Sequence, residues 1–190
     1  EEGGLGITGE NVHIAVIDTG ADGLHEDMDN LAEFCETQQS ALGAHPTVLC
    51  SPFNPSSGNA GPAGPTNDPR IDGTDDEGHG SHVSGTIAGS GEASGGMEAP
   101  HSTIGIAPHA RLHVYSANAG PALLDHEILS AYDDLIHKKR LGLSEVVAVS
   151  NSWGGGAGAD YNPADPIHIA VESAYDVGIL SVFAAGNDGP

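Results

Sequence analysis

The sequence predicts an open α/β sandwich, a mainly parallel sheet with helices on both faces. Short apolar runs of strand length (VHIAVI, LHVY, VVAVS, ILSVFAA) recur along the chain. Stretches with helical periodicity separate the later ones. Most of the runs open into loops rich in glycine or acidic residues, and strand, crossover helix, strand is the order that builds parallel pairs.

Val12 to Ile17 reads as a buried strand that opens at Asp18-Thr19-Gly20 into a loop. From about residue 35 to 75 the chain becomes dense in Pro, Gly, Ser and Asn, which predicts a surface excursion with one short strand at Thr47 to Cys50. Ser81 to Ala88 places Val83 and Ile87 among small residues at helical spacing. Its glycines lower helix propensity unless a neighbour packs closely. Residues 89 to 103 return to a Gly-rich loop.

ARLHVYSA then reads as a strand. HEILSAYDDLIHKK is an amphipathic helix with Ile128, Leu129, Tyr132, Leu135 and Ile136 on one side, and with Lys138, Lys139 and Arg140 at the end where the helix dipole favours cations. EVVAVSNSWGGG follows as a strand and glycine loop. DPIHIAVESAYDVG is a helix starting near Asp165, with Pro166 at its first position and a stop at Gly178. ILSVFAAGNDGP supplies a further strand and loop. In such a sheet, sites collect at the C-terminal strand ends, where Asp18, Ser152 and Asn187 all fall.

The 190 residues suffice for one domain or part of a larger one. A net charge of −22 repels nucleic acid phosphates and anionic membrane surfaces, which argues against nucleic acid partners. Because the apolar residues form compact runs, the acidity reads as a shell over a folded core. Such a surface suits a protein kept soluble in concentrated salt; an acidic protein of a moderate environment is the other reading. No 18-residue apolar segment is present, so no membrane span is expected. EEGGLGITGE lacks the regions of a signal peptide, and the chain is read as starting after any such segment. Cys35 and Cys50 lack metal-ligand spacing and leave a disulfide and a reduced pair both open.

Two segments carry chemistry. In IAVIDTGADG, an acid at a strand end beside a small hydroxyl residue and a glycine can be held in one rotamer, as an orienting or catalytic carboxylate requires. In DEGHGSHVSGTIAG, a His79 at a helix N-terminus could point Nε2 into a cleft while Nδ1 donates to a carboxylate, the arrangement of an oriented general base. A zinc site built from His79, His82, Asp75 and Asp76, with His101, His109 and His113 as further candidates, is the competing reading. It lacks HExxH or its inverse, and the residues after His82 are too small and apolar to add a helical ligand. His82 is therefore expected to be structural, packed behind His79 and donating to backbone. The glycines at 154 to 158 lack the lysine of a phosphate loop.

HGSHVSGTIAG resembles the histidine motif of the subtilisin-like serine proteases, a pattern close to HGTHVAGTIAG. VIDTG is similar to the family's aspartate motif, though DTG taken alone is also similar to the loop of aspartic proteases. TIGIAPHARLHVYSA resembles the segment GVAPxAxLxxVK, SNSWGG the S-x-G-G binding loop, and VFAAGNDGP the AAGN segment, all in the family's order over residues 5 to 190.

The resemblance implies a three-layer α/β/α sandwich with a mainly parallel sheet, incomplete at its C-terminus. Residues 1 to 190 would be the N-terminal portion of one catalytic domain carrying the surface insertion at about 35 to 75. It assigns Asp18 the orienting carboxylate, His79 the general base and Asn187 the oxyanion donor. Ser152, Trp153 and Gly154 would bind an extended peptide or protein substrate as an added strand, with Trp153 either lining an apolar pocket or packing inward. Asp27 in HEDMDN resembles a position that ligates structural calcium, although the loop between Gly89 and Gly105 departs from the usual calcium-binding insertion.

The family's nucleophile lies in a GTSMAxP segment after the asparagine, and no stretch before Pro190 resembles it. The implied intact protein is a secreted or cell-surface serine endopeptidase with no organic cofactor and a propeptide outside this chain; residues 1 to 190 alone would be inactive. An inactive peptide-binding module of the same fold is the alternative. An aspartic protease is a further one, and it would need a second aspartate across an all-β, two-fold arrangement.

Overall fold

The computed structural model describes residues 7–38, 47–52, 75, 77–96, 103–117, 123–154 and 161–187. Among these, β1 (His13–Asp18), β2 (Leu31–Gln38), β3 (Thr47–Pro52), β4 (Arg111–Ser116), β5 (Val146–Asn151) and β6 (Leu180–Phe183) form one sheet in the order β3-β2-β4-β1-β5-β6. Every neighbouring pair is parallel except β2 with β3. The helices are α1 (His79–Ala88), α2 (Asp125–Arg140) and α3 (Pro166–Asp176). The observed architecture is the three-layer, mainly parallel sandwich that the sequence predicts.

β1 is central, and its apolar run is unbroken because both of its faces are covered. Ala15 and Ile17 face a cluster with Tyr115, Ile128, Ala131, Tyr132, Leu135 and Ala174, so α2 and α3 cover that side. Val16 faces the other way, among Leu31, Phe34, Leu112, Val114 and Ala88, where α1 packs through Val83 and Ile87. The buried Ile128, Tyr132 and Leu135 supply α2's apolar stripe, each large aliphatic or aromatic side chain contributing roughly 1.5–3 kcal/mol relative to exposure. α3 starts where expected. Asp165 accepts hydrogen bonds from the amides of Ile167 and His168, Pro166 occupies the first turn, and Gly178 (φ +85°) follows the helix.

The excursion expected from residue 35 does not start there. Residues 31–38 form a strand inside the sheet, and Cys35 is fully buried. The short strand expected at Thr47 to Cys50 is present and extends to Pro52. Residues 39–46 and 53–74 of the expected excursion lie outside the described residues. Cys35 and Cys50 face each other in the antiparallel register, 4.0 Å apart at Cα, and are disulfide-bonded. A parallel sheet clad by helices also removes the all-β arrangement that an aspartic protease would need.

Candidate active site

Asp18 is the last residue of β1 and His79 the first of α1. The Asp18 carboxylate is fully buried, and its Oδ1 accepts from the Thr19 amide and from His79 Nδ1, both at 2.7 Å. Its other oxygen, also buried, has no hydrogen-bond partner among the described residues. The His79 side chain is 54% exposed. One ring nitrogen is thus committed to a desolvated carboxylate while the ring itself reaches solvent. A fixed anion in this position holds the imidazole in one tautomer and favours the imidazolium once Nε2 takes a proton.

A second carboxylate holds this pair in place. Asp75 Oδ1 accepts from Thr19 Oγ1 and from the Gly78 amide, each at 2.9 Å. Its Oδ2 accepts from the Ser81 amide at 2.7 Å and from Ser81 Oγ at 2.8 Å. Thr19 Oγ1 in turn accepts from the Gly80 amide at 2.9 Å, and Ser81 Oγ accepts from the Asp22 amide at 2.8 Å. The loop after β1 and the first turn of α1 are therefore laced together. Burial would raise the Asp75 pKa, but the bonds from Ser81, Thr19 and Gly78 outweigh it and hold the carboxyl below its ordinary value.

The glycines around His79 make this approach possible. Gly78 sits at φ +80°, turning the chain so that a carboxylate three residues before the cap position reaches the third helical amide. A Cβ on Gly80 would stand 2.1 Å from Gly20 O, so α1 meets the β1 loop backbone to backbone. Sequence reasoning found Asp18 and His79 but missed the roles of Thr19, Asp75 and Ser81. Capping rules look for a side chain at the cap itself, and here that residue is glycine.

The other expected residues share the C-terminal edge of the sheet. Ser152 is half-buried, and Gly154 is exposed with open space where a Cβ would point. Trp153 donates its indole N–H to Ile17 O at 2.9 Å and stands edge-on to Phe183 at 5.4 Å, so the ring packs against the end of β1. Asn151 is 1% exposed and donates to Val149 O and Val182 O, each at 3.3 Å. Asn187 lies exposed on the bend after β6, beside Gly186 at φ +86°.

Among the described residues, His79, His82, His109 and His113 do not assemble as a zinc set. His82 is exposed rather than packed behind His79, because the buried stripe of α1 is Gly80, Ser84 and Ala88 and position 82 falls on the opposite face. His109 bonds Thr8 Oγ1 ahead of β4, and His113 lies against Glu33. His101 and Asp76 lie outside the described residues.

At the expected calcium position, Asp27 Oδ1 accepts from the Ala93 amide at 2.9 Å and Asp27 O from the Ser90 amide at 3.2 Å. Among the described residues Asp27 joins no cluster of three candidate ligands. Glu33, Cys35 and Cys50 do lie within reach of one common point, but sulfurs bonded to each other have no thiolate to offer.

Residues 9–190 match the Subtilase family, Peptidase_S8. A subtilisin-like protease of Arabidopsis thaliana is 34% identical over 161 residues, covering 82% of this chain and 20% of its own length. Alkaline protease 1 of Emericella nidulans is 36% identical over 118 residues, 60% of this chain and 24% of its own length. The chain thus spans a quarter or less of these relatives. Among solved structures, a psychrophilic protease matches with TM-score 0.67 and 25% identity over 96% of this chain and 48% of its own. A cold-adapted subtilisin-like serine proteinase matches with TM-score 0.60 and 21% identity over 97% of this chain and 50% of its own, a likeness of fold.

Proposed function

The chain belongs to the subtilase family, and on that premise we propose that the intact protein is a serine endopeptidase whose Asp-His-Ser triad draws two members, Asp18 and His79, from these residues. The observation that carries the proposal is the 2.7 Å bond from His79 Nδ1 to a carboxylate with no solvent exposure, on a ring that is itself open to solvent. His79 Nε2 takes the proton of a serine supplied from outside residues 1–190. The serine oxygen attacks the peptide carbonyl, Asp18 stabilises the imidazolium, and His79 returns the proton to the leaving amine. Water then repeats the sequence on the acyl-enzyme.

Asn187 donates its side-chain amide to the developing oxyanion. In subtilisin itself, loss of the equivalent donor slows turnover on the order of 100- to 1000-fold. Ser152 to Gly154 present backbone to an extended peptide that pairs with them as a strand. Acyl transfer of this kind needs no organic cofactor. The Cys35–Cys50 disulfide supports an oxidising, extracellular setting, and the greater length of the relatives leaves room for a propeptide.

The test is to label the full-length protein with a fluorophosphonate and map the modified peptide. Labelling of a serine outside this segment, abolished by His79→Ala, supports the proposal. A folded full-length protein with no labelled serine points instead to a peptide-binding module without catalysis.

A further inference from the structure

A row of polar side chains lies at the end of the sheet away from Asp18, on the face covered by α2. Glu145 Oε2 is 3.4 Å from His13 Nε2, and His13 Nδ1 is 2.9 Å from His113 Nε2. His113 Nδ1 is 3.2 Å from Glu33 Oε2, and Lys138 bridges Glu33 at 3.2 Å to Asp134 at 2.9 Å. Asp134 finally accepts from Tyr115 OH at 2.8 Å. His13 begins β1 and His113 lies on the neighbouring β4, their rings tilted by 34° with centroids 5.2 Å apart.

The arrangement of protons along this row is constrained. With His113 Nδ1 donating to Glu33, His113 Nε2 is left as an acceptor, and His13 Nδ1 donates to it across 2.9 Å. When the His13 proton moves to Nε2, beside Glu145 at 3.4 Å, the two facing nitrogens both turn lone pairs toward one point, which a cation can occupy in place of the shared proton. We infer that His13 Nδ1 and His113 Nε2 form a binding site for a divalent transition-metal ion.

Each imidazole already has its outer nitrogen turned to a carboxylate, the support that orients metal-binding histidines and raises their basicity. With Zn–N bonds of about 2.0–2.1 Å, two tetrahedral ligand atoms stand roughly 3.3 Å apart, so the pair needs to open by only about 0.4 Å. The histidine side chains are 22% and 14% exposed, leaving an open side for water ligands. Arg111 and Lys139 add positive charge beside His13. The site therefore suits ions that imidazole binds by coordination, such as Zn²⁺, Ni²⁺ or Cu²⁺, and disfavours Ca²⁺ and Mg²⁺.

The experiment is calorimetric titration of the full-length protein with Ni²⁺ and, separately, Ca²⁺. The variants are His13→Gln, His113→Gln, Glu33→Gln and, as a control, His109→Gln. The expected result is a Ni²⁺ site weakened more than about 10-fold by either ligand substitution, weakened about 10-fold by Glu33→Gln and unchanged by His109→Gln, with no matching Ca²⁺ heat. Ring-nitrogen NMR of the unsubstituted protein guards against variants that misfold: Zn²⁺ must perturb His13 and His113 together. Equal Ni²⁺ binding in wild type and ligand variants overturns the inference. So does the absence of a Zn²⁺ response at these rings, which would show that the pair holds a proton only.

Discussion

Adding one methyl group at Gly80 tests how Asp18 and His79 are positioned. A Cβ there would lie 2.1 Å from Gly20 O, 2.9 Å from Gly20 N and 3.1 Å from Gly20 C, all backbone atoms that cannot rotate aside. Relieving the closest contact to 3.0 Å requires a shift of about 0.9 Å between the β1 loop and the first turn of α1. His79 is the adjacent residue, so the shift falls on its 2.7 Å bond to Asp18 and stretches it to about 3.6 Å, beyond hydrogen-bonding range.

Overpacking strain of about 1–3 kcal/mol and loss of a bond to a charged group, about 1.5–3 kcal/mol, set the expected destabilisation of Gly80→Ala at no less than about 2 kcal/mol. Urea denaturation of the full-length protein should show a lower midpoint with an unchanged slope. Fluorophosphonate labelling should slow about 100-fold, as expected for a catalytic group misplaced by roughly 1 Å.

Two neighbouring glycines provide contrast. Gly85→Ala meets only Met28 Cε at 3.7 Å and should stabilise the helix by about 0.5–1 kcal/mol. Gly78→Ala meets nothing within 4 Å but sits at φ +80°, so it should destabilise by about 1–2 kcal/mol through backbone strain alone. Wild-type stability and labelling in Gly80→Ala would refute the packing argument.

Asp75, whose pKa is depressed in the folded state, contributes stability that is present above its unfolded value and lost as pH falls below about 4 through the folded value. Calorimetry should show a shallower acid-side loss for Asp75→Asn than for wild type; superimposable acid profiles would count against the clamp. Replacing Cys35 and Cys50 together by serine opens a link spanning 15 residues and should lower stability by about 3 kcal/mol, read from denaturation midpoints. An equal midpoint in the double variant would show that β2 and β3 hold without it. The net charge of −22 predicts that the thermal midpoint rises from 0.1 to 1 M NaCl, as the Debye length contracts from about 10 to about 3 Å. A flat response would remove self-repulsion from the account of this surface.

The central strands and the long helices were legible because their signals are local. VHIAVI has strand length and apolar character, DPIHIAVESAYDVG carries its own cap and stop, and HGSHVSGTIAG places a histidine where a helix begins. β2 was hidden because LAEFCETQ is made compatible with the core by distant residues. Lys138 neutralises Glu33 from 105 positions away, and Cys50 covers Cys35 from across the hairpin. The carboxylate clamp was hidden for a related reason. Asp75 looked like a metal ligand or a solvated acid until Gly78 folded it back onto Ser81 and brought it to Thr19, 56 residues earlier. Of the site, the meeting of Asp18 and His79 was readable in the motifs, and the scaffolding that holds them depended on the tertiary fold.

The central place of β1 also governs how the protein is made. Of the described strands it is made first, yet both of its sheet neighbours lie far downstream, beginning at Arg111 and Val146. The indole that bonds the end of β1 arrives 136 residues after Ile17. An apolar strand that must wait this long for its partners is held back by loop-closure entropy and stays open to wrong pairings. Asp18 at its tip is then fixed late, so its contact with His79 forms only after β4 and β5 have joined the sheet. Pulse-labelling hydrogen exchange during refolding would register this as late protection of the amides of β1.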